Sequence, residues 1–172
     1  MPNNSIELAP ATINHADSLL PIFSNAENVK YTNFKTFADI VSFRIFIDMF
    51  LAIEKGSPLQ YGPYSICFDQ EIIGLCGLQQ INLDAGKSEL WYLLHRDHWG
   101  KGLAKQAVQI LLAMTKENTR LSTIYAEAVS SNKPSWHILE SVGFIKNSER
   151  KDGFNKEGFA ADLLTYSLNM SA

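Results

Sequence analysis

The sequence has few cysteines, no excess of positive charge and no long apolar run, and each absence excludes a class of protein. Its two cysteines, Cys67 and Cys76, stand inside apolar segments, so we interpret them as reduced core residues and not as a disulfide framework. The net charge of −3 disfavours a general nucleic-acid binder or a protein of anionic membranes. No apolar run of membrane-spanning length and no basic leader is present, so we expect a soluble, cytoplasmic protein without a membrane partner.

Length and composition favour one folded domain. The chain has 172 residues, of which 46% are hydrophobic and 19% charged, and this is enough apolar material for one sizeable core. No Gly/Ser-rich linker, charge block, internal repeat or low-complexity tract divides the chain. We therefore expect a single domain over residues 1–172.

Apolar spacing along the chain predicts elements in the order β, α, α, β, β, β, α, β, α, β, β. The expected strands cover residues 6–8, 64–68, 72–79, 88–94, 124–129, 144–149 and 163–168, and the expected helices cover 16–23, 37–54, a segment from 103 onward, and 134–141. Hairpins in the middle and at the end, with one βαβ unit over 88–129, predict the α/β class (mixed α+β). The sheet should be mostly antiparallel, with helices on both faces.

Turn and cap signals mark several expected boundaries. Asn14 is a candidate N-cap of the first helix, and Gly56 and Pro58 should end the second helix. The polar pair Asp69-Gln70 predicts a hairpin turn, and residues 151–158 predict a long hairpin loop.

Two glycines and an alanine stand between the strand 88–94 and the following helix, in the segment Trp99-Gly100-Lys101-Gly102-Leu103-Ala104. A helix N-terminus carries unpaired N–H groups and the positive end of its dipole, so this loop can cradle phosphate oxygens, with Lys101 adding charge. A Walker loop is excluded because Gly102 follows Lys101, and a dinucleotide fingerprint is excluded because Lys105 replaces its third glycine. The alternative is that the glycines form only a tight turn.

A second helix start follows about thirty residues later, at Asn132-Lys133-Pro134-Ser135. Asn132 or Ser131 is the expected N-cap, with the proline near the first helical position. This places a second helix N-terminus beside the carboxyl ends of two strands, where open α/β sheets bind ligands. One cofactor could therefore contact both segments.

These segments together resemble the GNAT superfamily of N-acetyltransferases, and within it the RimJ/RimL type of ribosomal-protein N-terminal acetyltransferase. The residues that carry the resemblance are 89–94, His98 to Ala104, Asn132 to Ser135, and Leu139 to Phe144. It is strong over residues 89–144, and the element order extends it across nearly the whole chain. The resemblance implies the GNAT fold and acetyl-CoA as co-substrate.

The resemblance also implies how coenzyme A would be held. The family's pyrophosphate loop places small residues at the positions of Gly102 and Ala104. Many members have Gln or Arg where this chain has Trp99, and a tryptophan there is frequent in the RimJ/RimL branch. Backbone N–H groups from Gly100 to Ala104 would bind the pyrophosphate. Leu93 and Leu94 would bond the pantetheine arm through their backbone, and the Asn132 side chain would lie on its other side. The implied cofactor set is Leu93, Leu94, Trp99, Gly100, Lys101, Gly102, Leu103, Ala104 and Asn132.

Glu89 is the candidate general base. An amine of ordinary pKa, about 10.4, is mostly protonated at neutral pH and must lose a proton before it attacks a thioester. Glu127 on the neighbouring strand, or a water molecule, remains an alternative base. Many members place a tyrosine proton donor where this chain has Leu139, so Ser135 is the implied donor to the thiolate. Ser135 could equally be a capping residue.

Aromatic residues are the candidates for the amine acceptor site. Tyr31, Phe34 and Phe37 follow the first helix, where the family has its acceptor pocket, and core packing is the alternative for these three. Trp91 is assigned to the same site. His95 and His98 lack the cysteine or carboxylate cluster that a metal needs, so we expect no metal.

The sequence thus predicts an acetyl-CoA-dependent N-acetyltransferase that acts on a protein N-terminus, a polyamine or another small amine by direct attack in a ternary complex. Two alternatives remain, a non-catalytic acyl-CoA-binding module of the same fold and a phosphate-binding protein unrelated to coenzyme A. A homodimer is compatible with the sequence, which does not determine the oligomeric state.

Overall fold

The computed structural model describes residues 5–54, 61–118 and 120–170, and its described strands form one seven-stranded sheet in the order β1-β2-β3-β4-β5-β7-β6. The strands are β1 (Ile6–Pro10), β2 (Tyr64–Phe68), β3 (Glu71–Asn82), β4 (Lys87–Leu94), β5 (Thr123–Val129), β6 (Ile145–Lys156) and β7 (Phe159–Asn169). The helices are α1 (Ala16–Ser24), α2 (Ala26–Val29), α3 (Ile40–Glu54), α4 (Leu103–Asn118) and α5 (Lys133–Ser141). All pairings are antiparallel except that of β4 with β5, which α4 connects. The predicted mixed fold with one βαβ unit is confirmed.

Several local boundaries differ from the prediction. Asn14 lies inside a 3-10 turn, so the N-cap position of α1 falls on His15, which makes no side-chain cap. The short helix α2 was not predicted; Asn25 caps it by accepting a hydrogen bond from the Glu27 N–H at 3.0 Å. The predicted helix end at residues 56–58 lies outside the described residues.

The two hairpin predictions had opposite outcomes. Asp69 and Gln70 form the predicted β2–β3 turn, with φ of 50° and 68°, the positive values that a tight two-residue hairpin turn requires. The predicted loop over 151–158 is wrong, because β6 continues to Lys156 and the chain reverses at Glu157 and Gly158. The segment resembles a loop in sequence because β6 is an exposed strand in which only Phe154 is buried, so it lacks apolar alternation.

Each face of the sheet is covered by its own apolar core, as alternating side chains of a strand require. Phe23 of α1 and Phe43 of α3 pack with Leu93 on one face, and Val108 of α4 packs with Leu90 on the other. Helices therefore cover both faces, as predicted. No helix within the described ranges is long and apolar enough to cross a membrane.

Both cysteines are free thiols. Cys76 is fully buried, as expected of a core residue, whereas Cys67 is only half-buried.

Strands β4 and β5 diverge after a short parallel start. Lys87, Ser88 and Glu89 pair with residues 123–125, and the described residues show no β4–β5 pair beyond this point. Further along, β4 stays paired with β3 as far as Leu94, and β5 stays paired with β7 as far as Val129. A V-shaped gap therefore opens between the carboxyl ends of the two strands, where the sequence predicts the site.

Candidate functional site

A cavity of about 300 Å³, here called the loop cavity, lies at the gap between β4 and β5. Strand β4, the glycine loop, the start of α5 and the segment around α2 all contribute to its wall. The lining residues are Glu27, Asn28, Tyr31, Thr32, Tyr92, Leu93, Leu94, His98, Trp99, Gly100, Gly102, Leu103, Ala104, Lys105, Asn132, Pro134, Ser135 and Ile138. All residues of the predicted cofactor set except Lys101 lie in this wall. Lys105 of α4 also lies in it, although it was not predicted.

The glycine loop has the backbone of an anion cradle. Gly100 and Gly102 adopt φ of 71° and 74°, a left-handed conformation that other residues rarely adopt. A Cβ added at either position would meet nothing within 4 Å, so the space over the loop is open. Helix α4 begins at Leu103 with no acidic residue in its first turn. Its first N–H groups lack intrahelical partners and are suited to an anionic ligand.

Trp99 attaches the glycine loop to the end of β4. Its indole N–H donates to the Leu94 carbonyl at 2.9 Å, so that carbonyl already has a partner within the chain. The neighbouring His98 has a buried Nδ1 that finds no hydrogen-bond partner among the described residues. Burial lowers the His98 pKa, and the positive charge of Lys101 lowers it further. A neutral imidazole therefore lies in the wall of the loop cavity.

Tyr92 and Ser135 join β4 to α5 at the inner end of the loop cavity. The Tyr92 hydroxyl donates to the Ser135 carbonyl at 2.9 Å and lies 3.0 Å from the Ser135 hydroxyl. Burial raises the pKa of Tyr92 to about 12, so this phenol stays protonated at neutral pH. Asn132 occupies the N-cap position of α5, but its side chain makes no capping bond. Sequence reasoning missed Tyr92, although its alternation with Leu90 and Leu94 places it on the α5 face.

A second cavity of about 500 Å³, here called the acceptor cavity, adjoins the first. The two cavities share Tyr31, Thr32, Tyr92, Asn132 and Ser135 in their walls. Ligands in the two cavities would therefore meet beside Ser135 and Tyr92.

Glu89 and Glu127 lie together in the wall of the acceptor cavity. Gln80 donates to Glu89 through Nε2 at 2.6 Å. Burial raises the Glu89 pKa, the Glu127 charge adds to this rise, and hydrogen bonds from Gln79 and Gln80 oppose it. A carboxylate with a raised pKa is a stronger proton acceptor than an exposed one.

The aromatic candidates divide between cavity and core. Phe34 and Trp91 line the acceptor cavity with ring centroids 6.0 Å apart, and Tyr31 lines both cavities. Phe37 lines neither cavity and packs against Phe43 and Phe46 at 5.4 and 4.8 Å, so for Phe37 the core alternative is correct.

Strand β6, part of which the sequence predicts as a loop, forms one wall of the acceptor cavity. Arg150, Gly153, Phe154 and Asn155 all face this cavity. Within the part of the chain that the structure describes, no group of three or more His, Cys, Asp or Glu side chains could hold a metal ion.

Comparison with known proteins places this geometry in a family context. A family model described as an acetyltransferase (GNAT) domain matches residues 5–145. The uncharacterized N-acetyltransferase p20 of Bacillus licheniformis is 33% identical over 167 residues, which cover 95% of this chain and 92% of that protein.

Two solved structures share the fold at low sequence identity. RimL, the ribosomal L7/L12 alpha-N-protein acetyltransferase, in complex with coenzyme A, matches with a TM-score of 0.87 and 16% identity over 98% of this chain and 96% of that chain. The spermidine N-acetyltransferase of Vibrio cholerae, with coenzyme A and spermine, matches with a TM-score of 0.83 and 18% identity over 98% of each chain.

Proposed function

The chain belongs to the acetyltransferase (GNAT) family and is an N-acetyltransferase, as its sequence predicts; from that premise we propose that it transfers the acetyl group of acetyl-CoA to a primary amine by direct attack. The observation that carries the proposal is the contact between the loop cavity, which suits an anionic ligand, and the acceptor cavity, which holds Glu89. The likeness to RimL supports a place in the RimJ/RimL branch.

The loop cavity is the proposed acetyl-CoA site. The positive φ of Gly100 and Gly102 and the open space above them fit the pyrophosphate, which the N–H groups up to Ala104 would bind. The gap between β4 and β5 leaves room for the pantetheine arm beside Leu93, with Asn132 on the other side. Because the Leu94 carbonyl accepts from Trp99, Trp99 positions the loop in this proposal.

Glu89 is the proposed general base. The protonated acceptor gives one proton to the carboxylate, directly or through water, and the neutral amine then forms the new N–C bond as the C–S bond of the thioester breaks. The second proton that leaves the nitrogen replaces the one that Ser135 gives to the departing thiolate. The raised pKa of Glu89 favours proton uptake. Glu127 remains the alternative base because it lies in the same wall.

Ser135 is the proposed donor to the departing thiolate, since its hydroxyl lies where the two cavities meet. Tyr92 positions it through the 2.9 Å bond to the Ser135 carbonyl. Leu139, where many family members have a tyrosine, is buried in the core and cannot donate a proton. A thiol of pKa about 8.5 leaves readily, so the donor's contribution should be small.

The first experiment tests cofactor binding. Acetyl-CoA at about 100 times its Kd should stabilise the protein by about 2.7 kcal/mol, which is easily seen as an increase in melting temperature. The absence of any shift would favour a phosphate-binding protein unrelated to coenzyme A.

The second experiment tests catalysis by free-thiol release with a panel of amines. Glu89→Gln should abolish turnover while acetyl-CoA still stabilises the variant, and Glu127→Gln is the matched control that examines the alternative base. Cofactor binding without turnover of any amine would favour the non-catalytic acyl-CoA-binding module.

A further inference from the structure

The acceptor cavity contains charges of both signs. Glu89 and Glu127 supply negative charge, and Arg150 of β6 is the one cation among the described lining residues. A cavity built for a polyamine would gain nothing from a guanidinium, because like charges repel. The presence of Arg150 therefore bears on which amines the site accepts.

Arg150 has no acidic partner within the described ranges. Its one hydrogen bond runs from Nη2 to the Gly153 carbonyl at 3.3 Å, although a guanidinium carries five N–H donors. The carboxylate next to it in sequence, that of Glu149, is bound by Lys146. Donors of Arg150 thus remain available to a ligand in the acceptor cavity.

Gly153 leaves the space that the Arg150 side chain occupies. A Cβ at position 153 would stand 2.7 Å from Arg150 Nε and 2.9 Å from the Arg150 carbonyl, so a side chain there would displace Arg150. The register of β6 breaks between Arg150 and Phe154, and Asp152 adopts φ of 51° within this break. The irregular strand holds the arginine beside the cavity.

Strand register places Arg150 on the same face as the carboxylates. Arg150 pairs with Leu163, which pairs with Val129, two residues beyond Glu127 on β5. Two strand spacings across and two residues along separate the Cα atoms of Arg150 and Glu127 by about 12 Å. An acceptor that reaches both charges must carry its anionic group several bonds from its amine.

We propose that Arg150 binds a carboxylate of the acceptor, so that the substrate class is an amino-acid or short-peptide amine that also carries a carboxylate. This inference rests on the proposed function of the acceptor cavity. The Glu89 end of the cavity receives the amine, and the Arg150 end forms a charge-assisted hydrogen bond with the carboxylate. Arg150 lies beyond residues 5–145, which the family model matches, so the family match by itself assigns it no role.

Matched acceptors test the proposal. The dipeptide Ala-Phe and its C-terminal amide differ in one charge, and kcat/KM should favour the free acid by about 10- to 100-fold. Arg150→Met should reduce this ratio to near one, and Arg150→Lys should retain part of it. Lys151→Met removes the same charge from the next, exposed position of β6 and should leave the ratio unchanged.

A wild-type preference for the amide or for spermidine, or an unchanged ratio in Arg150→Met, would overturn the proposal. Calorimetric binding of the two dipeptides to the coenzyme A complex separates this failure from failure of the proposed function. Arg150-dependent binding without turnover of either dipeptide or of any other amine in the panel would refute catalysis and support the carboxylate site. If neither dipeptide binds, the carboxylate site is refuted, whatever other amines are acetylated.

Discussion

Gly74 of β3 is the position where one added methyl group should most directly disturb the gap between β4 and β5. A Cβ at this position would lie 2.3 Å from the Leu93 carbonyl oxygen, although real Cβ atoms almost never approach another atom within 3.0 Å. The atom in the way is backbone, so no side-chain rotation can relieve the contact. In Gly74→Ala, β3 and the end of β4 must separate by about 0.7 Å, the difference between these two distances.

This displacement should be visible in both stability and cofactor binding. Overpacking of this kind costs about 1–3 kcal/mol, and each kcal/mol lowers the melting temperature of a chain of this size by about 2–4 °C. A decrease of about 4–8 °C is the expected central result. Because Leu93 lines the loop cavity, acetyl-CoA should also bind about 10-fold more weakly.

Gly77→Ala is the matched control. Gly77 lies on the same strand, but the atoms nearest its added Cβ are 3.3 Å away, a distance that small shifts relieve. Thermal denaturation with and without acetyl-CoA compares the two variants, and Gly77→Ala should lose less stability and no cofactor affinity. Wild-type stability and affinity in Gly74→Ala, or equal losses in both variants, would refute the proposed role of this close backbone approach.

Three further predictions concern the glycine loop, the acceptor cavity and the base. Gly102→Ala and Gly158→Ala both place alanine at positive φ in open space. Melting curves should show that both variants lose about 1–2 kcal/mol of folding stability. Titration should show weaker acetyl-CoA binding only for Gly102→Ala. Lys156 donates to the Val29 and Phe34 carbonyls at 2.8 and 2.7 Å, so steady-state kinetics of Lys156→Met should show a higher KM for the amine and little change in the KM for acetyl-CoA; equal increases would contradict this positioning role. Because the pKa of Glu89 is raised, the folded protein binds a proton at this carboxylate more tightly than the unfolded chain does. Protonated Glu89 therefore stabilises the fold at low pH, and this stabilisation is lost as pH rises through the folded pKa. Glu89→Gln, which resembles the protonated form, should therefore melt at a higher temperature at pH 7 while losing turnover, and a lower melting temperature would refute the sign.

Local sequence signals predicted most elements and the glycine loop. The Asp69-Gln70 turn and the Asn132 N-cap position before α5 were predicted from local residue types, and the structure has both. The prediction of a hairpin loop at 151–158 was wrong because β6 carries polar side chains on both faces over most of its length. Its strand conformation comes from hydrogen bonds to β7, which no pattern within the segment encodes.

The candidate site shows the same division between local signals and long-range pairing. Glu89 was selected from its position on the strand that leads into the glycine loop and Ser135 from the family resemblance, and both lie in the acceptor cavity wall. Tyr92 and Arg150 were not selected, because their importance depends on partners such as Ser135 and on register across β7. Phe37 was selected with its neighbour Phe34, but only Phe34 reaches the cavity.

By itself, the sequence determined the mixed fold and the order of its elements apart from α2, because periodicity and turn chemistry act over a few neighbouring residues. The family followed from the resemblance of segments around the glycine loop and the start of α5. Tertiary structure alone decided that β4 and β5 part after Glu89, since that divergence depends on pairing with β3 and β7 on opposite sides. It also brought Arg150 and the carboxylates of β4 and β5 to one cavity. Long-range strand register sets these distances, and the residues of one strand do not specify which strand it pairs with or in which register.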